Sequence, residues 1–201
     1  TRKVAVIGSG TMGNGIAQVL AQQGFQVVLI DVAAAALERA AQSIQKSLER
    51  LVKKGAIGAD QVPVITGRIE RTTKIELVRD CQLVIEAVLE DVKLKSELFV
   101  RLDELAPPEA ILASNTSSIS ITELGAATKR ADRVIGMHFM NPVPMMELVE
   151  IIRGLATSDP TFGAIEELTR ELKKTPVSVN DSPGFVSNRI LLPMINEAVF
   201  C

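Results

Sequence analysis

The sequence predicts a doubly wound α/β fold: a mostly parallel sheet with helices on both faces, followed by the start of a helical unit. Three observations carry that expectation. Short β-rich apolar runs alternate with segments of helical periodicity from residue 3 to residue 181. Three glycines, Gly8, Gly10 and Gly13, sit between the first such strand and the first such helix. The last stretch, residues 182–200, has helical character but is apolar on several sides, at Ile190, Leu191, Leu192, Met194, Ile195, Val199 and Phe200. It reads as a helix cut short at Cys201 whose apolar face belongs against something else; the alternative is that it packs on its own sheet. The expected division is residues 1–183 for the sheet domain and 184–201 for the first helix of a helical domain.

The elements follow in order. KVAVIG (3–8) is a short apolar run ending in glycine, a buried strand. MGNGIAQVLAQQG is helical and stops at Gly24. QVVLID (26–31) is a second buried strand, so the three form a βαβ unit with a right-handed crossover. A long helix is expected from about Ala33 to Lys54, with Leu37, Ala41, Ile44, Leu48 and Leu51 on its apolar face. Its end, KKG, places cations at the negative pole of the helix. GRIERTTKI and LVIEAV (83–88) read as strands separated by the short IELVRD. DVKLKSELFVRLDELA is an amphipathic helix stopped by Pro107 and Pro108. AILASNTS is a strand running into a polar loop, and ITELGAAT a short helix. RVIGMHFM (133–140) and MELVEIIRG (146–154) are strands around NPVP. SDPTFGAIEELTRELKK carries an N-cap signature, and PVSVND is the last strand. Within the final helical stretch Pro193 implies a kink or break.

Composition narrows the function classes. Of the 201 residues, 47% are hydrophobic and 23% charged, which is ordinary for a globular chain with a sizeable core. With six Phe and no Trp or Tyr, a stacking platform for single-stranded nucleic acid is not expected. The formal charge of −2 argues against a DNA-binding surface. Cys81 and Cys201 show no metal-ligand spacing and no redox pair, so neither a metal nor a disulfide is expected. No apolar run reaches the ~20 residues a membrane helix needs. TRKVAVIG already reads as a strand, so no signal peptide is expected; a transit peptide removed before residue 1 is left open.

The glycines form a G-x-G-x-x-G string with Asp31 at the end of the second strand. In that strand–turn–helix setting the string is a Rossmann-type dinucleotide fingerprint. Gly8 permits the turn, Gly10 lets a pyrophosphate approach the backbone, and Gly13 lets helix and strand pack closely. The pyrophosphate then sits at the positive helix end. Asp31 can accept from both hydroxyls of an adenosine ribose and would repel a 2′-phosphate, which favours NAD over NADP. A glycine turn without a ligand, or a flavin, are the alternatives.

His138 is the only histidine, and Glu150 follows it within an apolar run. A lone histidine on an apolar segment is more often packed core than catalyst. If the two strands around NPVP are neighbours, however, Glu150 comes back level with His138. A carboxylate there would hold one ring nitrogen and leave the other for substrate. The other reading of Glu150 is a sheet-edge carboxylate facing water. SNTSS (114–118) follows a strand where the carboxyl ends of a parallel sheet gather, and either orients a polar substrate or merely caps the next helix.

Several stretches together resemble the 3-hydroxyacyl-CoA dehydrogenases, and most nearly the bacterial 3-hydroxybutyryl-CoA dehydrogenases. They are VAVIGSGTMGNGIAQVLAQQGFQVVLID, LVIEAVLEDVKLKSELF, ASNTSSISIT, GMHFMNPVPMMELVEII and DSPGFVSNRILLPMINEA. The resemblance implies His138 as general acid/base and Glu150 as its partner. It implies Ser117 at the substrate's 3-oxygen and the nicotinamide, and Asn188 completing the substrate site. For NAD it implies Gly8, Gly10, Thr11, Met12 and Gly13 of the loop with Asp31, Glu90, Lys95, Ser117 and Asn141. For coenzyme A it points to Ser47 and Lys54 on the long second helix. The implied reaction is reversible NAD-dependent oxidation of an (S)-3-hydroxyacyl-CoA to the 3-ketoacyl-CoA. The implied setting is the bacterial cytoplasm, or the mitochondrial matrix, with a homodimer for the full-length protein and no nucleic-acid or membrane partner. A sister dehydrogenase acting on a hydroxy acid without CoA, or a non-catalytic crystallin-like NAD-binding protein, are the alternatives.

Overall fold

The computed structural model describes residues 3–201; Thr1 and Arg2, within the expected first domain, lie outside the described residues. The chain alternates as expected: β1 (Lys3–Ile7), α1 (Thr11–Gln22), β2 (Gln26–Ile30), α2 (Ala34–Lys53), α3 (Gln61–Gly67), β3 (Ile69–Thr72) and β4 (Leu83–Glu86). It continues through α4 (Val92–Leu105), β5 (Ile111–Ser114), α5 (Ile121–Ala126), β6 (Val134–Phe139), β7 (Leu148–Arg153), α6 (Asp159–Glu171), β8 (Thr175–Asn180) and α7 (Ser187–Val199). One sheet holds all eight strands in the order β3-β2-β1-β4-β5-β6-β7-β8. Pairing is parallel from β3 to β6, antiparallel between β6 and β7, and parallel again between β7 and β8. The chain reverses its direction of growth between β1 and β4, the switch point at which doubly wound sheets bind ligands beyond the strand carboxyl ends.

Strand alternation divides the core between the two faces. Val4 and Val6 of β1 join α1, α2 and α6 through Ile16, Leu20, Leu48 and Ile165. Ala5 and Ile7 join α4 and α5 through Phe99, Leu102 and Leu124. Each such large apolar side chain, fully buried, contributes about 1.5–3 kcal/mol. The same alternation sorts β6. Met137 and Phe139 belong to the first face, so His138 between them turns to the face that carries α5 and Phe185. Gly136 lets α5 settle there, because a Cβ would stand 2.7 Å from Ile152 Cβ and 3.0 Å from Ile121 Cγ1.

Several expectations are corrected. Residue 40 rather than 41 completes the buried stripe of α2, with Leu37, Ile44 and Leu48. The GRIERTTKI strand shrinks to the four residues of β3, and IELVRD is a turn of 3₁₀ helix over Ile75–Asp80. α3, with Pro63 near its start, was not expected. Residues 182–186 form a turn, and α7 then runs through Pro193 without a break in the helix. None of its residues is buried. No helix among the described residues is long and apolar enough to cross a membrane.

Candidate active site

The carboxyl ends of β1, β2, β4, β5 and β6 deliver the singled-out residues to one edge of the sheet. After β1, Gly8 has φ +94°, and a Cβ on it would lie 2.6 Å from Ala87 O. A Cβ on Gly13 would lie 1.8 Å from Gly8 O, so helix and loop touch where only hydrogen fits. Over Gly10 nothing lies within 4 Å of such a Cβ. Gly10 begins α1 without a side-chain cap, and no acidic residue stands in the first turn with Thr11 and Met12. The protein leaves the positive end of α1 bare beside open space, which fits a dinucleotide pyrophosphate. When bound there, NAD supplies the hydride acceptor.

Asp31 follows β2. Its Oδ2 accepts from Ser9 N (2.8 Å) and Ser9 Oγ (2.7 Å), and its Oδ1 from Ala33 N (3.0 Å). Burial pushes its pKa up, but these donors prevail and hold it below the ordinary range. The carboxylate is therefore ionised and anchored to the glycine loop through Ser9, a residue the sequence reading passed over.

After β4 comes a chain of charges. Glu86 is fully buried and accepts from Lys95 Nζ (2.6 Å), Val88 N (2.7 Å) and Ser114 Oγ (2.6 Å). Lys95 is 1% exposed and lies 3.3 Å from Glu90 Oε2. Glu90 Oε1 in turn accepts from Ser117 N (2.8 Å), Ser118 N (3.1 Å), Ser118 Oγ (3.1 Å) and the Thr116 hydroxyl. Burial raises the Glu90 pKa, yet the Thr116 and Ser117 donors and Lys95 bring it below the ordinary range. Lys95 is thus enclosed between carboxylates and holds Glu90, while Glu90 shapes the 116–118 loop. Glu86 could have been found: like Asp31, it is an acid closing an otherwise apolar strand.

His138 and Glu150 are register partners on antiparallel β6 and β7. Glu150 Oε2 lies 2.8 Å from His138 Nδ1, and both side chains are buried. A carboxylate only accepts, so Nδ1 carries a proton, and in the neutral ring Nε2 presents a lone pair. That lone pair meets the Ser117 hydroxyl at 3.1 Å. Glu150 Oε1 accepts from Val186 N (3.1 Å), Ser187 N (2.8 Å) and Ser187 Oγ (3.0 Å). Burial alone would raise its pKa; the hydrogen bonds from His138 and Ser187 set it below the ordinary range. At 1% exposure Glu150 is not a carboxylate facing water at a sheet edge. Asn188 Nδ2 donates to Ser117 O (3.3 Å), and the Phe185 ring stands 5.9 Å from the imidazole. Asn115 ties the loop to the strand, accepting from Phe139 N (2.9 Å).

The structure brings His138, Glu150, Ser117 and Asn188 together, with Glu90 and Lys95 joined to them through the 116–118 loop. Asn141 lies exposed beyond β6. Ser47 is half-buried on α2 and Lys54 exposed at its C-terminal cap. Two helical turns apart, they share a face, but no hydrogen bond links either to the His138 cluster.

The chain is similar to several known proteins. A 3-hydroxybutyryl-CoA dehydrogenase of Clostridioides difficile is 50% identical over 197 residues, covering 98% of this chain and 70% of that protein. The crystal structure of (S)-3-hydroxybutyryl-CoA dehydrogenase from Ralstonia eutropha superposes with a TM-score of 0.96 at 49% identity, over 98% of this chain and 70% of that one. A solved pyridine-carboxylic acid 5-dehydrogenase, an NAD+-dependent dismutase, has a TM-score of 0.88 at 40% identity, over 98% of this chain and 64% of that one. The sequence profile that matches, over residues 3–182, is that of the 3-hydroxyacyl-CoA dehydrogenase NAD binding domain.

Proposed function

This chain belongs to the 3-hydroxyacyl-CoA dehydrogenase family, and we propose that it catalyses reversible NAD-dependent oxidation of an (S)-3-hydroxyacyl-CoA, such as 3-hydroxybutyryl-CoA, with His138 as general acid/base. The observation that carries the reading is the orientation of one ring. Glu150 holds Nδ1–H at 2.8 Å, which leaves Nε2 as an acceptor facing Ser117. In oxidation, Nε2 takes the proton of the substrate 3-hydroxyl as its hydride leaves. The imidazolium so formed is stabilised by Glu150, already ionised and fixed by Ser187. In reduction, Nε2–H donates to the developing alkoxide. The Ser117 hydroxyl, which occupies Nε2 in the free protein, turns to the 3-oxygen, and Asn188 completes the same pocket. Phe185 and the burial of His138 keep water from competing.

Gly8, Gly10, Thr11, Met12 and Gly13 receive the pyrophosphate, and Asp31 the ribose. Glu90 and Asn141 are assigned to NAD beside the glycine loop, with Lys95 acting through Glu90. Ser47 and Lys54, at the basic end of α2, are assigned to the coenzyme A phosphates. Residues 1–183 form the NAD-binding unit and 184–201 begin a helical unit. Supporting that division, the family match ends at residue 182, and α7 leaves Ile190, Leu192, Met194 and Phe200 more than half exposed. A homodimer in the bacterial cytoplasm is the proposed state.

NADH consumption with acetoacetyl-CoA, beside free acetoacetate and beside NADPH, tests the reading. Consumption confined to NADH and the CoA ester supports it. Equal or greater turnover of the free acid moves the assignment to a dehydrogenase of acids without CoA, as the pyridine-carboxylic acid relative acts on one.

A further inference from the structure

Residues 181–188 form a strap that reaches every member of the His138 cluster. Phe185 lies against the imidazole ring, Val186 and Ser187 donate to Glu150, and Asn188 donates to Ser117 O. The strap makes a left-handed turn at Gly184 (φ +75°) and Phe185 (φ +50°). A bulky residue in that region is unfavourable, so the turn persists only if its ends are held. One end continues into α7, which buries nothing. At the other end stands Asp181.

Asp181 is half-buried and binds three successive residues across a gap of some sixty positions in sequence. Oδ2 accepts from Ser120 Oγ (2.7 Å) and Thr122 N (2.8 Å), and Oδ1 from Ile121 N (3.0 Å). These are charge-assisted bonds, roughly twice as strong as neutral ones. Ser120 to Thr122 begin three residues after Ser117, and Ile121 sits over Gly136, two residues before His138 in β6. The carboxylate therefore locks the strap that orients Glu150 to the loop that carries Ser117. Burial raises the Asp181 pKa, but these donors hold it below the ordinary range, so the lock is charged at neutral pH.

We propose that Asp181 is a positioning residue: by fixing the strap to the head of α5 it sets the alignment of Glu150, His138 and Ser117 without touching substrate or cofactor. The proposal rests on the reading of His138 as the proton-transfer group. A purely local role for Asp181, capping a short helix, would lower stability and leave the cluster alone.

The test compares Asp181→Asn with Asp103→Asn in the full-length protein. Asp103 pairs with Arg130 at 2.6 Å at the far end of α4, so its variant reports loss of a half-buried ion pair away from the cluster. Three quantities are read: kcat with acetoacetyl-CoA, NADH affinity, and the ¹⁵N signals of the His138 ring, assigned by their loss in His138→Gln. For Asp181→Asn the expectation is a kcat lower by about 10–100-fold, NADH affinity within about twofold, and ring signals moved away from the Nδ1–H tautomer. Asp103→Asn should lower the melting temperature while kcat and the ring signals stay. Should Asp181→Asn fail to fold, Ser120→Ala removes one of the three bonds and should show the same pattern at a few-fold. The proposal requires the fall in kcat and the change in ring signals together; either without the other, or NADH affinity falling in step with kcat, overturns it. The ring signals need no substrate. A wild-type protein inert to acetoacetyl-CoA would thus refute the assigned reaction, while the ring signals alone would then judge Asp181.

Discussion

Replacing Glu150 with glutamine should lower turnover by about 10²–10³-fold while NADH binding stays within about twofold. The magnitude follows from the geometry. Glu150 Oε2 is 2.8 Å from His138 Nδ1 and both groups are buried. Unit charges about 4 Å apart attract by about 4 kcal/mol at an effective dielectric of ~20. That attraction exists only once His138 has taken the substrate proton, so it lowers the barrier rather than strengthening binding. At about 1.4 kcal/mol per decade, full loss is about three decades, and partial proton transfer at the transition state claims less. A second effect adds to this. Three donors converge on Oε1, from Val186, Ser187 N and Ser187 Oγ. They will hold the amide oxygen of a glutamine and turn its NH₂ toward Nδ1. Nδ1 must then accept, which moves the ring proton to Nε2 and removes the lone pair that receives the hydroxyl proton. The assay is steady-state oxidation of 3-hydroxybutyryl-CoA followed by NADH absorbance, with NADH affinity measured by fluorescence titration. A folded variant retaining kcat within about threefold would refute the reasoning.

The same contacts predict further outcomes. Asp31→Ala removes a charged acceptor for the ribose, worth about 1.5–3 kcal/mol, so NADH affinity should fall about 10–100-fold and the preference over NADPH should collapse; unchanged titrations of both cofactors would strip Asp31 of its role. Gly13→Ala pushes a methyl against Gly8 O, 1.8 Å away, and should cost about 3 kcal/mol or more in urea unfolding, where an unshifted midpoint would contradict the close packing. Asp31, Glu90, Glu150 and Asp181 all have pKa values held below their ordinary ones of 3.8 and 4.5. A depressed carboxylate contributes its stability above the ordinary value and loses it as pH falls through the native one. The melting temperature should therefore hold from neutral pH to about 5 and drop below about 4.5, with Glu150→Gln flattening part of the drop; an equally steep loss between pH 7 and 5 would show another group in control.

The sequence exposed what is local. Strand–glycine–helix–strand–acid is a contiguous pattern, and its physics of turn, close approach and dipole needs no knowledge of distant residues. The lone histidine and the following glutamate come level only if NPVP joins neighbouring strands, which is the register that β6 and β7 adopt. What stayed hidden depends on contacts across the fold. Ser9 supports Asp31 only because parallel pairing of β1 and β2 sets their ends side by side. Glu86 binds Lys95 on the following helix and Ser114 on the next strand, 28 residues on. Asp181 reads only as the end of the last strand until its partners sixty positions earlier are known. α3 is a seven-residue helix with Pro63 in its first turn, where proline is tolerated, and its short apolar stretch offers no clear periodicity. Pro193 implies a kink or break, yet α7 runs through it unbroken.

The His138 assignment is tested most directly by the His138→Gln variant, measured for the rate of NADH consumption with saturating acetoacetyl-CoA and for NADH affinity in the same preparation. Loss of the proton-transfer group should lower the rate by about 10²–10⁴-fold, with NADH affinity within about twofold of wild type. A folded variant that turns over at a near-normal rate would contradict the account, because the other base of the cluster, Glu150, is already engaged by His138, Val186 and Ser187.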